Sequence, residues 1–385
     1  MAMDGINCPI ASVCGPSNSA IICFSSLRWP EAHRLRPLLA RFARQRQVFF
    51  LEEPEVSAGE RLRVSPCSAT GVQVVTPMLP ANGTDNRRAA LDLLLARSGA
   101  AIGWYATPEA VPYSRHVSWL ATVYDCTETP SALGLPFERH LIEAADLVFT
   151  ASSELHDALR AAHPHIHCFP VCIDVEHFAT ARGLIAEPDD QIGLRRPLLG
   201  RYGAVDDRLD LDLLARLAAQ RPHWQFALIG AIETARDLPR ARNIHWLGDR
   251  SEAELPAYLS HWDVAIMPMA PDAVSDPAEA PRYLAAGRRV VTTPLKGAAR
   301  SVTALEAVAV ATSAEAFLHA AEEAMRRADV SDFVAVDDLL ATLSCDAVQR
   351  DMAALLSAAE LSQAPASYFG LGANPLPLGG RKLSA

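Results

Sequence analysis

The chain has 385 residues, half of them apolar and 21% charged, with a formal net charge of −10. This is too long for one ordinary core and fits two domains, and the composition is globular rather than disordered. The acidic balance excludes a general nucleic-acid binder, which needs clustered Lys and Arg against phosphates.

From about residue 20 onward, strand-length apolar runs alternate with stretches of helical period, which predicts parallel α/β layers. In the first half Ala20–Ser25, Gln47–Leu51, Val72–Thr76, Ala100–Tyr105, Trp119–Tyr124 and Leu147–Ala151 read as strands. Glu31–Arg44, Arg87–Arg97, Glu138–Ala144 and Ser153–Ala162 read as the helices between them, giving one doubly wound domain over residues 1–175. Ala181–Arg196 holds Gly, Pro and two aspartates with few apolar residues, so 176–196 is expected to be a linker or surface crossing. Alternation then restarts with strands Leu198–Tyr202, Gln225–Ile229, Ile244–Trp246, Val264–Met267, Arg289–Thr292 and Ala307–Val310. Helices Leu209–Ala218, Glu252–Ser260, Ala278–Ala286 and Ala314–Arg326 complete a second doubly wound domain, set at residues 197–360. The helical stretch Ser331–Glu360 is compatible with packing on either domain, and the Pro- and Gly-rich residues 361–385 read as a mobile tail.

Eight cysteines stand at 8, 14, 23, 67, 126, 168, 172 and 345 without a paired small-framework spacing, which predicts reduced thiols. No apolar run reaches the roughly 18 residues of a spanning helix, and no basic region followed by an apolar one opens the chain. The expectation is a cytoplasmic protein, free or resting peripherally on the inner face of a membrane.

Two open parallel sheets in series place a cleft between their carboxyl edges, where such sheets bind ligands. The most informative stretch is Asp276-Pro-Ala-Glu-Ala-Pro-Arg-Tyr-Leu-Ala-Ala-Gly-Arg-Arg-Val-Val-Thr-Thr-Pro294, a helix start, a glycine stop and a buried strand. It resembles the donor-sugar segment of GT-B glycosyltransferases of the bacterial family 4-like, family 1 type, usually Ser-Pro-x-Lys-x-x-Glu-Tyr-Leu-Ala-Ala-Gly-x-Pro-Val-Val. Further anchors are Phe24-Ser-Ser-Leu-Arg-Trp29, Tyr124-Asp-Cys126 with Glu128 and Ser131-Ala132, and Ala145 to Ser153 with Phe169-Pro170, Ile173-Asp174 and His177-Phe178. Arg201-Tyr-Gly203, Asp210-Leu-Asp-Leu213, Leu228-Ile-Gly230 and Asn243-Ile-His-Trp-Leu-Gly248 follow in the order of that family's donor domain. The resemblance covers about residues 20–310 and implies an α/β GT-B fold, two doubly wound Rossmann-like domains facing each other across a cleft.

The resemblance implies a donor site at Arg201, Tyr202, Gly203, Gly230, Glu233, Glu279, Arg282 and Tyr283, with departures. The family's usual lysine is Glu279, its usual glutamate is Arg282, and a second usual lysine falls near Glu233. A carboxylate about 4 Å from a diphosphate repels it by roughly 4 kcal/mol at a surface-like dielectric, about a thousandfold in affinity. Arg201, Arg236, Arg240, Arg282, Lys296 and Arg300 are the candidates to compensate. Arginine has no acceptor, so Arg282 cannot copy a glutamate that binds ribose hydroxyls. Glu279 and Arg282, three apart on a helix, can equally pair with each other.

On the acceptor side Asp125 and Glu128 follow a buried strand and His33 sits at the mouth of the first strand–helix unit. These are the candidate catalytic residues, with capping as the structural alternative. His163, His165 and His167 flank Pro164 and read as an exposed loop rather than a metal site. Arg28 to Arg46 holds six arginines and one carboxylate around a stripe of Leu35, Leu38, Leu39 and Phe42. Its simplest reading is a helix packed on the sheet with solvated arginines, and its alternative is a basic face for anionic lipid headgroups.

The implied function is transfer of a sugar from a nucleoside diphosphate sugar to a glycan, a lipid-linked saccharide or a small hydroxylated acceptor, with no metal and no cofactor beyond that co-substrate. The alternatives are a catalytically degenerate GT-B-like protein serving as binding or assembly partner of another transferase, and an epimerase of the same shape.

Overall fold

Ile21, Ile22, Cys23 and Phe24 form an apolar run without alternation, the signature of a strand covered on both faces. In the computed structural model, which describes residues 19–57, 61–81, 85–127, 136–169, 172–296, 302–327 and 332–363, that run is β1 (Ala20–Phe24), buried at every position. It is followed by α1 (Leu35–Phe42), β2 (Val48–Leu51), β3 (Glu55–Val56), β4 (Leu62–Pro66), β5 (Gln73–Leu79), α2 (Arg87–Ser98) and β6 (Ala101–Tyr105). Then come α3 (Val111–Ser114), β7 (Thr122–Cys126), α4 (Pro136–Ala144), β8 (Leu147–Thr150), α5 (Ser153–Leu159) and β9 (Ile166–Cys168). The strands lie in the order β3-β5-β2-β1-β6-β7-β8-β9, with β4 antiparallel on β5. Ile21 and Cys23 face a core shared with Leu39, Phe42 and Trp104, while Ile22 and Phe24 face the opposite one with Leu91 and Leu94.

The second half runs α6 (Val175–Ala179), β10 (Leu198–Tyr202), α7 (Leu211–Gln220), β11 (Gln225–Ile229), β12 (Ile244–Gly248), α8 (Leu255–Leu259) and β13 (Val264–Met267). It continues with α9 (Glu279–Ala285), β14 (Val290–Thr292), β15 (Val308–Val310), α10 (Ala314–Arg326), α11 (Asp332–Leu343) and α12 (Cys345–Gln363). Its parallel sheet is ordered β12-β11-β10-β13-β14-β15. All six strands expected here are present. In the first sheet β3, β4 and β9 were not foreseen, being short or carrying half-exposed polar residues.

Three expectations need correction. The stretch 176–196 is not a loose surface crossing, because Phe178 and Ala181 are buried in the second domain's core beside Tyr283 and Leu284. Gln191 is buried too and accepts a hydrogen bond from Trp262 Nε1 at 2.9 Å. The second domain does not extend to residue 360: α12 returns to the first, where Val348, Met352 and Leu356 pack with Leu39, Phe42 and Trp104. The residues of the expected tail from 364 onward lie outside those described.

The third correction concerns the cysteines. Cys172 and Cys345 form a disulfide with Cα atoms 4.7 Å apart, joining residues separated by 173 positions. Sequence spacing could not reveal a pair so distant. In the chain-entropy picture a loop of that length contributes at most about 5 kcal/mol. Cys23, Cys67, Cys126 and Cys168 are in no disulfide.

The arginines of Arg28–Arg46 mostly have carboxylate partners, with the side chains of Arg41 and Arg46 buried and that of Arg44 exposed. Arg28 meets Glu55 at 2.7 Å, Arg41 meets Asp174 at 3.0 Å and Asp346 at 3.3 Å, Arg44 meets Asp346 at 3.3 Å, and Arg46 meets Glu360 at 3.5 Å. Among the described residues no helix is long and apolar enough to cross a membrane.

Gly200 in the middle of β10 has no room for a side chain, since a Cβ would stand 1.9 Å from Cδ2 of the buried Trp262. Gly200→Ala should lose about 1–3 kcal/mol in urea unfolding. Gly193→Ala, with nothing within 4 Å of its Cβ position, should unfold like the parent.

Candidate functional site

In each sheet one point reverses the strand order, and ligands of open parallel sheets bind outside the carboxyl ends there. In the second sheet this lies between β10 and β13. Gly203 follows β10 with φ +140° and Gly230 follows β11 with φ +150°, a region that favours glycine. A Cβ on Gly230 would lie 2.1 Å from the Gly203 carbonyl oxygen, so the two turns touch only because Gly230 lacks a side chain. Val205 N–H donates to the Ala231 carbonyl at 2.8 Å and Glu233 N–H to the Val205 carbonyl at 3.0 Å, locking the turns together.

The helix after β13 is α9. It stops at Gly287, φ +73°, where Gly287 N–H bonds the Leu284 carbonyl and Arg288 N–H the Tyr283 carbonyl, both at 2.9 Å. That pattern closes a helix end with a left-handed residue. Arg182 adds Nε to the Ala285 carbonyl at 2.8 Å and Nη2 to the Leu284 carbonyl at 3.2 Å, a cation on the negative end of the helix.

Between the Gly203 turn and the start of α9 lies a buried charge pair. Arg201 and Glu279 are 3% and 4% exposed, and Nε stands 3.2 Å from Oε1. Arg201 Nη1 also donates to the carbonyls of Gly203 at 3.1 Å and Ala204 at 3.0 Å. The Tyr283 hydroxyl accepts from Tyr202 N–H at 2.8 Å and has Glu279 Oε1 at 3.0 Å as an acceptor. Burial pushes the Glu279 carboxyl above its usual range, against the pull of Arg201, and raises the Tyr283 phenol well above its own.

Arg282 does not pair with Glu279. Its Nη1 lies 3.3 Å from Asp276 Oδ2 and its Nη2 3.6 Å from Glu252 Oε1, with the guanidinium 5.8 Å from the ring centres of Phe178 and Tyr202. Glu233 is exposed on the rim. Of the other candidate cations, Arg236 pairs with Asp212 and Lys296 with Asp272, Arg240 is exposed, and Arg300 lies outside the described residues. Of the candidate cations among the described residues, Arg201 is the one that pairs with Glu279.

In the first sheet the order reverses between β1 and β6. A cavity of about 500 Å³ opens there, lined among others by Ser25, His33, Arg34, Tyr124, Asp125 and Glu138. Asp125 ends up buried at the floor, with Arg34 Nη1 2.7 Å from both of its carboxylate oxygens and Arg34 Nη2 donating to the Phe169 carbonyl at 3.2 Å. As placed, it is a paired structural carboxylate rather than a free base. His33 is exposed at the rim, and Glu128 lies outside the described residues. Sequence reasoning missed Glu138, a buried carboxylate in the first turn of α4 that accepts from the Tyr124 hydroxyl at 2.6 Å. Its one signal was a glutamate at the start of a helix shortly after Tyr124-Asp-Cys126.

The histidine trio serves the fold. His163 is buried with Nε2 2.9 Å from the Ala145 carbonyl, and its Nδ1 accepts from His165 N–H at 3.1 Å. Among the described residues no group of three or more His, Cys, Asp or Glu is placed to hold a metal ion.

Residues 200–327, which span the donor edge just described, match the family model described as Glycosyl transferases group 1. The chain has the GT-B fold, and residues 200–327 carry its likeness to that family. It is 28% identical over 221 residues to the Bacillus subtilis (strain 168) protein described as teichuronic acid biosynthesis glycosyltransferase TuaH. That match covers 50% of this chain and 55% of the relative, so the chain spans about half the length of the curated protein it matches. Among solved structures, sucrose-phosphate synthase from Thermosynechococcus elongatus superposes with a TM-score of 0.65 at 16% identity, over 90% of this chain and 100% of the other. Anabaena HepE in complex with UDP and glucose superposes with a TM-score of 0.62 at 14% identity, over 88% and 99%. At those identities the likeness is one of fold.

The GT-B protein's Arg201–Glu279 pair sets a clear expectation. Glu279→Lys buries two cations against each other and should cost about 3–5 kcal/mol in urea unfolding. Arg201→Met combined with Glu279→Met should cost less than either single change, since each single change leaves an unpaired buried charge and the double change leaves none.

Proposed function

We propose that the chain transfers a sugar from a nucleoside diphosphate sugar, bound at the Gly203–Gly230 turns and α9, to a hydroxylated acceptor in the cavity between β1 and β6. The observation that carries this reading is the group 1 domain over residues 200–327 with a buried arginine held at the turn where a diphosphate would approach. A transferase must neutralise the departing diphosphate, and buried donors fixed beforehand do so most effectively. In this reading Arg201 supplies the fixed positive charge at the Gly203 turn, its own N–H groups being held by Glu279 and the carbonyls of Gly203 and Ala204, with no metal ion required.

The degenerate-partner alternative requires uncompensated carboxylates at the donor edge. Glu279 is instead compensated by Arg201 and Tyr283. The acceptor is a glycan, a lipid-linked saccharide or a small hydroxylated molecule. Its hydroxyl would meet His33 or Glu138, because Asp125 is held by Arg34. Contact with a membrane through Arg28–Arg46 is not part of this reading, since Arg28, Arg41, Arg44 and Arg46 are paired within the protein.

The test is titration with uridine and guanosine diphosphate sugars, followed by release of the nucleoside diphosphate in the presence of a panel of saccharide acceptors. Binding of one nucleotide sugar in the micromolar range with acceptor-dependent release is expected, and silence across the panel would sink the reading.

The raised Glu279 gives this binding a pH dependence of definite sign. A diphosphate beside Glu279 disfavours its charged form still further, so binding takes up a proton and tightens as pH falls toward the folded value. Affinity should rise as pH falls in calorimetry, and Glu279→Gln should flatten the profile.

A further inference from the structure

The chain passes between its two domains at residues 172–174 and again at 343–345, and the two passages run side by side. Ile173 and Ser344 form a parallel bridge, in which Ile173 N–H donates to the Leu343 carbonyl and Cys345 N–H to the Ile173 carbonyl, both at 2.9 Å. The disulfide joins the same two passages one residue away. Arg41 of α1 reaches both, pairing with Asp174 at 3.0 Å on one and Asp346 at 3.3 Å on the other. We propose that Cys172–Cys345 is a thiol-controlled staple on the hinge between the domains.

With the bond closed, the two passages bend as one strap about a single axis. With it open, two main-chain hydrogen bonds, the Arg41 contacts and the shared packing of Ile173 and Leu343 remain between them, without the covalent link that makes them bend together. Arg41 keeps the strap anchored to the first domain in both states. Cys172 is half-buried while Cys345 is fully buried, so an attacking thiolate reaches the Cys172 sulfur and Cys345 leaves. A small dithiol supplies the two electrons and two protons: the S–S bond breaks, Cys172 and Cys345 become thiols, and the dithiol departs as its own disulfide. This inference does not depend on sugar transfer.

The experiment uses the full chain purified without reductant, before and after dithiothreitol. Alkylation under denaturing conditions should show Cys172 and Cys345 blocked before treatment and free after it. Hydrogen exchange at the Ile173 and Cys345 amides should accelerate by about tenfold on reduction, while the Ile22 and Leu199 amides inside the two sheets keep their rates. Small-angle scattering should show a wider spread of domain arrangements in the reduced chain. The Cys172→Ser, Cys345→Ser double variant should reproduce the reduced behaviour without dithiol. Free thiols in the untreated chain overturn the proposal. So do equal hinge exchange in both states and faster exchange throughout the sheets, which would mark a cross-link serving global stability alone. If the double variant does not fold, the reduced parent chain decides.

Discussion

The carboxyl edge of the second sheet depends on one buried contact, the pair of Arg201 and Glu279. It joins the end of β10 to the start of α9, the two elements that flank the reversal of strand order in the second sheet. A charge taken out of water must be paired or lose its charge. Each partner here therefore requires the other, while the carbonyls of Gly203 and Ala204 accept from Arg201 and the Tyr283 hydroxyl stands beside Glu279. The close approach of Gly203 and Gly230 follows from the same geometry, because it brings the turn carbonyls within reach of the guanidinium.

This pair also explains how the segment Asp276–Pro294 keeps its helix after exchanging a lysine for Glu279 and a glutamate for Arg282. The exchange is not a local swap within one helix. Glu279 turns to β10, and Arg282 turns away to Asp276, Glu252 and the rings of Phe178 and Tyr202. The linker helix α6 supplies Phe178, and Arg182 behind it caps the far end of α9, so the stretch that joins the domains also holds the donor helix in place.

The sequence made the alternation of buried strands and helices legible, because β1, β2, β6 and β8 and most residues of the second sheet's strands form apolar runs of strand length. It left β3, β4 and β9 unseen, since edge strands with polar, half-exposed residues carry no such signal. At the site, Gly203, Gly230, Glu279 and Arg282 were visible as residues, but their partners were not. Arg34 holds Asp125 across 91 positions and Arg201 holds Glu279 across 78, and a lone sequence contains no information about pairs so distant. The disulfide and the return of α12 escaped for the same reason.

The position of α12 has a consequence for how the chain comes to be folded. The second domain is an insertion in the first, which is completed only by the last described helix, with Val348, Met352 and Leu356 closing the core over Leu39, Phe42 and Trp104. During synthesis the N-terminal half emerges first, yet it must wait with one flank of its sheet uncovered until the whole second domain has been made. The usual order, in which an N-terminal domain matures before its successor, is thus reversed: the domain that begins the chain is the one that finishes last.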